Sequence, residues 1–130
     1  MKVLLVSLVT ALALSAGLSG CGDIDELDIS IRFSGVLSER QTGGAPDSPL
    51  IGRVCIFGEC GDSNSEGRFN FKVYENFRGG NVRVSVRVDG TDSDATFDLT
   101  GDADEVDLRL SVDRDSRNLS VDSVNVLKTK

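Results

Sequence analysis

Four stretches of this chain place an apolar residue at every second position, a periodicity that suits a half-buried strand and no helix. Phe69, Phe71 and Val73 alternate with Asn70 and Lys72, and Leu27, Ile29, Ile31 and Phe33 with Asp28, Ser30 and Arg32. Val82, Val84, Val86 and Val88 alternate with Arg83, Ser85 and Arg87; Val106, Leu108, Leu110 and Val112 with Asp107, Arg109 and Ser111. Register is strongly specified in such strands, because a slip of one residue would bury Arg83 and Arg87. No stretch after residue 20 shows helical periodicity. The pattern predicts strands over Leu27 to Leu37, Ile51 to Phe57, a short piece around Cys60, Arg68 to Tyr74, Asn81 to Val88, Ala95 to Thr100, Glu105 to Val112 and Leu119 to Leu127. Turn signals between them suggest an all-β, antiparallel Greek-key sandwich of seven to eight strands. Its core falls to Val, Leu, Ile and the rings of Phe33, Phe69, Phe71 and Phe97.

At 130 residues there is room for one such domain, and 39% apolar with 27% charged residues describes a globular chain. The net charge of -7 argues against nucleic acid and against direct adsorption on an anionic bilayer, both of which favour clustered Lys and Arg. There is no His, so neither a Cys-His nor a Ser-His pair can be built, and the commonest zinc ligand is missing. The chain is expected not to be an enzyme and to carry no cofactor.

The first twenty residues read as an address. Met1-Lys2 is a minimal positive region, and Val3 to Ala16 is an apolar run too short to span a bilayer comfortably, since that takes about 20 residues. No later run is as long, so the mature chain is expected to lack a transmembrane helix. Leu18-Ser19-Gly20-Cys21 resembles the lipobox of bacterial lipoproteins: an aliphatic residue, two small ones, then the cysteine that is lipidated. That resemblance implies removal of residues 1–20, a diacylglyceryl thioether on Cys21 and an acylated amino group. The alternative is a plain secretory signal cut after Gly20 or Gly22. Two or three acyl chains make desorption negligible, because each buried CH2 contributes about 0.8 kcal/mol. By resemblance to lipoprotein sorting in enteric bacteria, Gly22 directly after the cysteine leaves default transport to the outer membrane, with the domain on its periplasmic or surface face. In a host with one membrane the same anchor faces outward from the cytoplasmic membrane.

Three cysteines in an exported chain leave one over. Lipidation consumes Cys21 and leaves Cys55 and Cys60, which a hairpin with a four-residue loop would place opposite one another, within disulfide reach. Such a short ring predicts a local clamp; with no His and no CxxC spacing, a redox or metal pair is disfavoured. Residues 21–26 form the lipidated cysteine and an acidic tether, and the five residues of GDIDE reach at most about 17 Å. Asp23, Asp25, Glu26 and Asp28 read as a solvated spacer. The domain proper is 27–130.

The run FSGVLSERQTGGAPDSPLIGRVCIFGECGDSNSEGRFNFKV resembles the carboxypeptidase regulatory-like domain, a transthyretin-like (prealbumin-like) seven-stranded sandwich. Gly35 and Val36 open the pattern, Pro46 or Pro49 marks its loop, Gly52, Val54 and Ile56 form the second strand, and Glu66, Gly67, Arg68 and Phe69 end the next loop. VRVDGTDSDATFDL resembles the strand and loop that follow. The resemblance implies a non-catalytic accessory or binding module and no peptidase activity. Two departures are the short hairpin with its cysteine pair and the segment Leu119 to Lys130, which exceeds seven strands. Within the pattern, Gly67 is expected at positive φ and Phe69 in the core.

Two further features bear on binding. The acidic stretch 89–107 offers Asp89, Asp92 and Asp94 as calcium candidates, but the spacing does not fit an EF-hand, and turns or outward strand positions account for the carboxylates. The loop YENFRGGN exposes Tyr74, Phe77 and Arg78, residue types enriched at binding hot spots, unless Phe77 simply caps one end of the core. The expected function is therefore a lipid-anchored envelope lipoprotein whose sandwich binds or scaffolds a protein partner in the periplasm or at the cell surface. The alternative is an assembly lipoprotein of a secretion machine, of the type VI sheath-anchoring kind.

Overall fold

The computed structural model describes residues 29–130. The signal segment, Cys21 and the acidic tether lie outside the described residues. Nine strands and no helix make up the described part: β1 (Ser30–Arg40), β2 (Ser48–Pro49), β3 (Arg53–Ile56), β4 (Glu59–Asp62), β5 (Arg68–Tyr74), β6 (Gly80–Val88), β7 (Thr91–Leu99), β8 (Ala103–Asp113) and β9 (Leu119–Thr129).

They form two facing sheets. In the first, β1 is flanked on one side by β5 and β2 and on the other by β8, with β9 outside β8. The second has the order β4-β3-β6-β7. The alternating residues do what period two demands: Val82, Val84, Val86 and Val88 are buried while Arg83 and Arg87 are exposed. Phe33, Phe69, Phe71 and Phe97 all lie in the core. Phe33 ties the two sheets together, with its ring centroid 6.2 Å from that of Phe71 on β5 and 6.4 Å from that of Phe97 on β7.

Three features depart from the sequence reading. First, β1 and β8 run parallel, with Val36 level with Arg109 and Arg40 with Asp113, inside an otherwise antiparallel arrangement. Alternation dictates which face a side chain takes, and a parallel neighbour satisfies it as well as an antiparallel one. Second, β7 begins at Thr91 rather than Ala95, so part of the Asp-rich segment is strand. Its acids are tolerated because they alternate outward beside the arginines of β6. Third, Ser48–Pro49 adds a two-residue edge strand where a loop was expected. Proline is acceptable there because an edge position needs no donor on its outer side.

Gly67 explains how one flank of β1 serves two partners. At Leu37 the backbone passes from β5 to β2: the Leu37 N–H donates to Gly67 O at 2.7 Å, and Leu50 N–H donates to Leu37 O at 3.1 Å. Gly67 has φ +78, and a Cβ there would lie 2.3 Å from Leu37 O. Only glycine combines that conformation with that approach. The described polar interior is satisfied: the buried Ser63 hydroxyl donates to Leu50 O at 2.7 Å and accepts from Gly52 N–H at 2.8 Å. Among the described residues no helix is long and apolar enough to cross a membrane.

Candidate functional site

The end of the sandwich from which β1 departs gathers the β3-β4 turn, the β5-β6 loop and the Gly101-Asp102 turn. Cys55 and Cys60 face each other across the β3-β4 hairpin and are disulfide-bonded, with Cα atoms 4.1 Å apart. The connection is tighter than a four-residue loop, because Ile56 pairs with Glu59 and leaves only Phe57 and Gly58 as the turn. Both take positive φ, 53° and 82°, as the twist of a two-residue hairpin requires. Gly58 fits; Phe57 is a bulky residue in a region that costs about 1–3 kcal/mol.

That cost is offset by rigid surroundings. The Phe57 ring packs against Phe77 of the β5-β6 loop, centroids 5.5 Å apart and planes tilted by 47°, a contact contributing about 0.5–1.5 kcal/mol beyond its buried area. Phe77 is positioned by its own N–H, which donates to Glu75 O at 2.8 Å, while Glu75 N–H continues the β1-β5 ladder to Ile29 O at 3.0 Å. The loop then crosses Gly101, where a Cβ would meet the Arg78 carbonyl carbon and oxygen at 2.7 Å. Arg78 is left exposed above this contact.

Of the loop residues singled out by sequence, Phe77 is half-buried and packs against the core, as the capping alternative expected, Arg78 is exposed, and Tyr74 stands apart at the end of β5, 62% exposed. Phe57, which sequence reasoning passed over, completes the cluster. Its signal was the Phe-Gly pair between two cysteines, a spacing that leaves room for a two-residue turn and forces positive φ on the phenylalanine. Beside it runs a surface groove of about 490 Å3 lined by Cys55, Phe57, Gly58, Asn81, Arg83 and Ser85.

The calcium candidates are not brought together. Asp89 sits in a turn with φ 50, followed by Gly90 at φ 80. Asp92 instead makes a two-pronged pair with Arg87 at 2.8 and 3.0 Å, and Asp94 accepts from Arg83 at 2.6 Å and from Ser85 at 2.7 Å. Among the described residues no three of His, Cys, Asp and Glu stand close enough to share an ion. These carboxylates form a ladder across β6 and β7, extended by Asn81 donating to Asp98 at 3.0 Å.

Hydrogen bonds move three carboxylates below their ordinary range. Asp92 is lowered chiefly by its hydrogen bond to Arg87, and Asp94 by Ser85 and then Arg83. Asp113 is lowered by the backbone N–H groups of Ser116 and Asp115, whose turn it caps. A carboxylate depressed in the folded state stabilises it fully above the unfolded pKa, and the contribution is lost as pH falls through the folded value. Melting temperature is therefore expected to hold from neutral pH down to about 4 and to fall below it. Asp92→Asn with Asp94→Asn should flatten that acid limb, and an unchanged limb would remove these pairs from the account.

The disulfide closes a short ring, so it contributes about 2 kcal/mol by loop entropy. Cys55→Ala with Cys60→Ala should lower the unfolding free energy measured in urea by that amount and leave the chain folded; collapse of the fold would show that the bond does more than clamp a hairpin. Before reduction, intact mass should show two hydrogens fewer than the dithiol.

No family model matches the chain, and no curated protein matches it. A search of solved structures finds likeness to a candidate cell adhesion protein from Bacteroides ovatus, with 9% sequence identity, 78% of this chain covered and a TM-score of 0.37. The match takes in 46% of that protein, so the chain spans about half the length of its structural neighbour.

Proposed function

We propose that this chain is an envelope lipoprotein, anchored through lipid on Cys21, whose non-catalytic β-sandwich binds a protein partner through the Phe57-Phe77-Arg78 end. The observation that carries the binding assignment is Phe57 at φ 53, held on a disulfide-braced turn and stacked on Phe77. Backbone strain on a bulky residue persists where surrounding structure over-determines it, and it clusters at sites of recognition. An aromatic pair with an exposed arginine alongside is also the composition of an interface hot spot. Support for the anchor is the sequence Leu18-Ser19-Gly20-Cys21, placed directly behind an apolar run. Retention at the outer membrane follows from Gly22 in the sorting position.

The finer family reading, a transthyretin-like module of the carboxypeptidase regulatory-like kind, draws on the Gly35-Val36 and Glu66-Gly67-Arg68-Phe69 pattern. Gly67 at positive φ and Phe69 at 3% exposure fit the roles that pattern asks of them. The resemblance implies an accessory or binding module, in keeping with a chain that has no His.

The two halves are tested separately. Radiolabelled palmitate should enter the wild-type chain and not the Cys21→Ala chain; a wild-type chain that takes up no label removes the lipid anchor. A photo-crosslinking residue at position 78 should give one discrete adduct in intact cells, with none from position 66 at the other end of the domain. Equal labelling from both positions removes the binding end.

A further inference from the structure

The outer face of the first sheet carries a polar trough built by residue size. Along β1 the outward residues Ser34, Val36 and Ser38 are small, while the outward positions of β5 and β8 carry Arg68, Asn70 and Lys72 on one wall and Glu105, Asp107 and Arg109 on the other. The hollow over Ser34 and Val36 has a volume of about 380 Å3. Val36 is level with Arg68 on one side and with Arg109 on the other, so two guanidiniums flank one rung of the floor. Their Cα atoms stand two strand spacings apart, about 10 Å, a gap that two long side chains can close on one anionic group.

The groups around this rung present donors. Asn64 Oδ1 already accepts from the N–H groups of Glu66 at 2.9 Å and Arg68 at 3.0 Å, and Asn70 Oδ1 accepts from Arg32 at 2.8 Å. Each amide therefore has its NH2 left to offer. The Arg109 guanidinium makes no ion pair or hydrogen bond among the described residues, whereas Arg40, Arg53, Arg83 and Arg87 are each paired within 3.1 Å. Arg68 has only a longer contact to Glu66, 3.5 Å. One carboxylate lines the hollow, Asp107, level with Ser34. A second hollow, of about 160 Å3, continues along the trough and is lined by Ser30, Arg32, Lys72, Asp104 and Glu105. Its rung, Arg32 level with Lys72 on one side and with Glu105 on the other, lies four residues from the first, about 13 Å along the strand.

We propose that this trough binds a carboxylated polysaccharide lying along β1, with one carboxylate gripped between Arg68 and Arg109. Planar guanidiniums hold carboxylates through paired charge-assisted bonds. The amide donors and Asp107 are matched by sugar hydroxyls, which both accept and donate. A second rung of net positive charge, Lys72 and Arg32 beside Glu105, in line with the first favours a polymer over a single small acid. An acidic peptide fits less well: the backbone groups of β1 are committed to neighbours on both sides, leaving none to pair with a peptide main chain. This assignment does not depend on the lipid anchor or on the Phe57 end.

The test is titration calorimetry of the Cys21→Ala chain with tetragalacturonate at low salt, beside its fully methyl-esterified, neutral form. The acid is expected to bind with a Kd of about 1 mM or tighter, and the affinity should fall as salt is added. The ester, Arg109→Ala and Arg68→Ala should each bind about tenfold more weakly or worse, from loss of a charge-assisted pair. Arg53→Ala, on the other sheet, should bind as the parent does. Arg109→Lys and Arg68→Lys keep the charge and lose the fork, so they should fall between parent and alanine variants; they serve also if an alanine variant does not fold. Absence of a saturable signal with tetragalacturonate overturns the proposal, as does equal binding of the ester or parent-like binding by the folded arginine variants. Poly-L-glutamate binding as tightly as the uronate would also overturn it, in favour of an acidic peptide.

Discussion

Gly35→Ala is expected to destabilise the domain by about 3 kcal/mol or more, a large share of the usual 5–15 kcal/mol. Gly35 faces inward on β1, between Phe69 on β5 and Leu108 on β8, with φ +153. A Cβ there would lie 1.8 Å from Leu108 O and 2.8 and 2.9 Å from Leu108 C and N. These are backbone atoms, so no rotamer change relieves the clash. The parallel β1-β8 pair would have to separate and give up ladder hydrogen bonds, each contributing about 1 kcal/mol net. Urea unfolding followed by far-UV circular dichroism measures the effect. Ser34→Ala, on the outer face of the same strand, should change the unfolding free energy by no more than about 0.5 kcal/mol. A Gly35→Ala variant as stable as the Ser34→Ala control would mean that β1 and β8 do not approach this closely.

Phe33→Ala is the second large effect, with an expected loss of about 3–5 kcal/mol. The side chain is fully buried and contacts rings from both sheets, Phe71 in its own and Phe97 in the other. Truncation leaves a cavity between two sheets that each hold their own backbone ladders, so collapse around it is restricted and most of the penalty remains. Phe33→Leu restores much of the volume and should cost about 1.5 kcal/mol or less. Tyr74→Ala, at a site 62% exposed, should stay within about 0.5 kcal/mol. A loss below about 1 kcal/mol for Phe33→Ala would show that the sheets are not pinned through this ring.

Much of this architecture was legible in the residues. Alternation placed the valines of β6 inward and its arginines outward, and it assigned the four core phenylalanines correctly. The Cys55-Cys60 pair and the positive φ of Gly67 were also readable, because each follows from a short span of chain: a hairpin brings the cysteines together, and one loop closes at the glycine. The candidate binding end was legible in part. Phe77 and Arg78 stood out by type, but Phe57 looked like one more apolar strand residue until the two-residue turn put it at the tip.

The trough on the first sheet was not legible at all. Arg68 and Arg109 are far apart in the chain, and nothing near either names the other. They share a rung because β1 takes β5 antiparallel on one side and β8 parallel on the other.

The sequence by itself thus determined most of the strand segments, the face that their side chains take, and where glycine must stand. These are local consequences of backbone sterics and of the two-residue repeat. Only the tertiary structure decided which strands are neighbours and in which direction they run. The backbone donors and acceptors that join strands are the same for every residue but proline, so pairing is selected by how well two whole inner faces pack, a choice no single segment encodes.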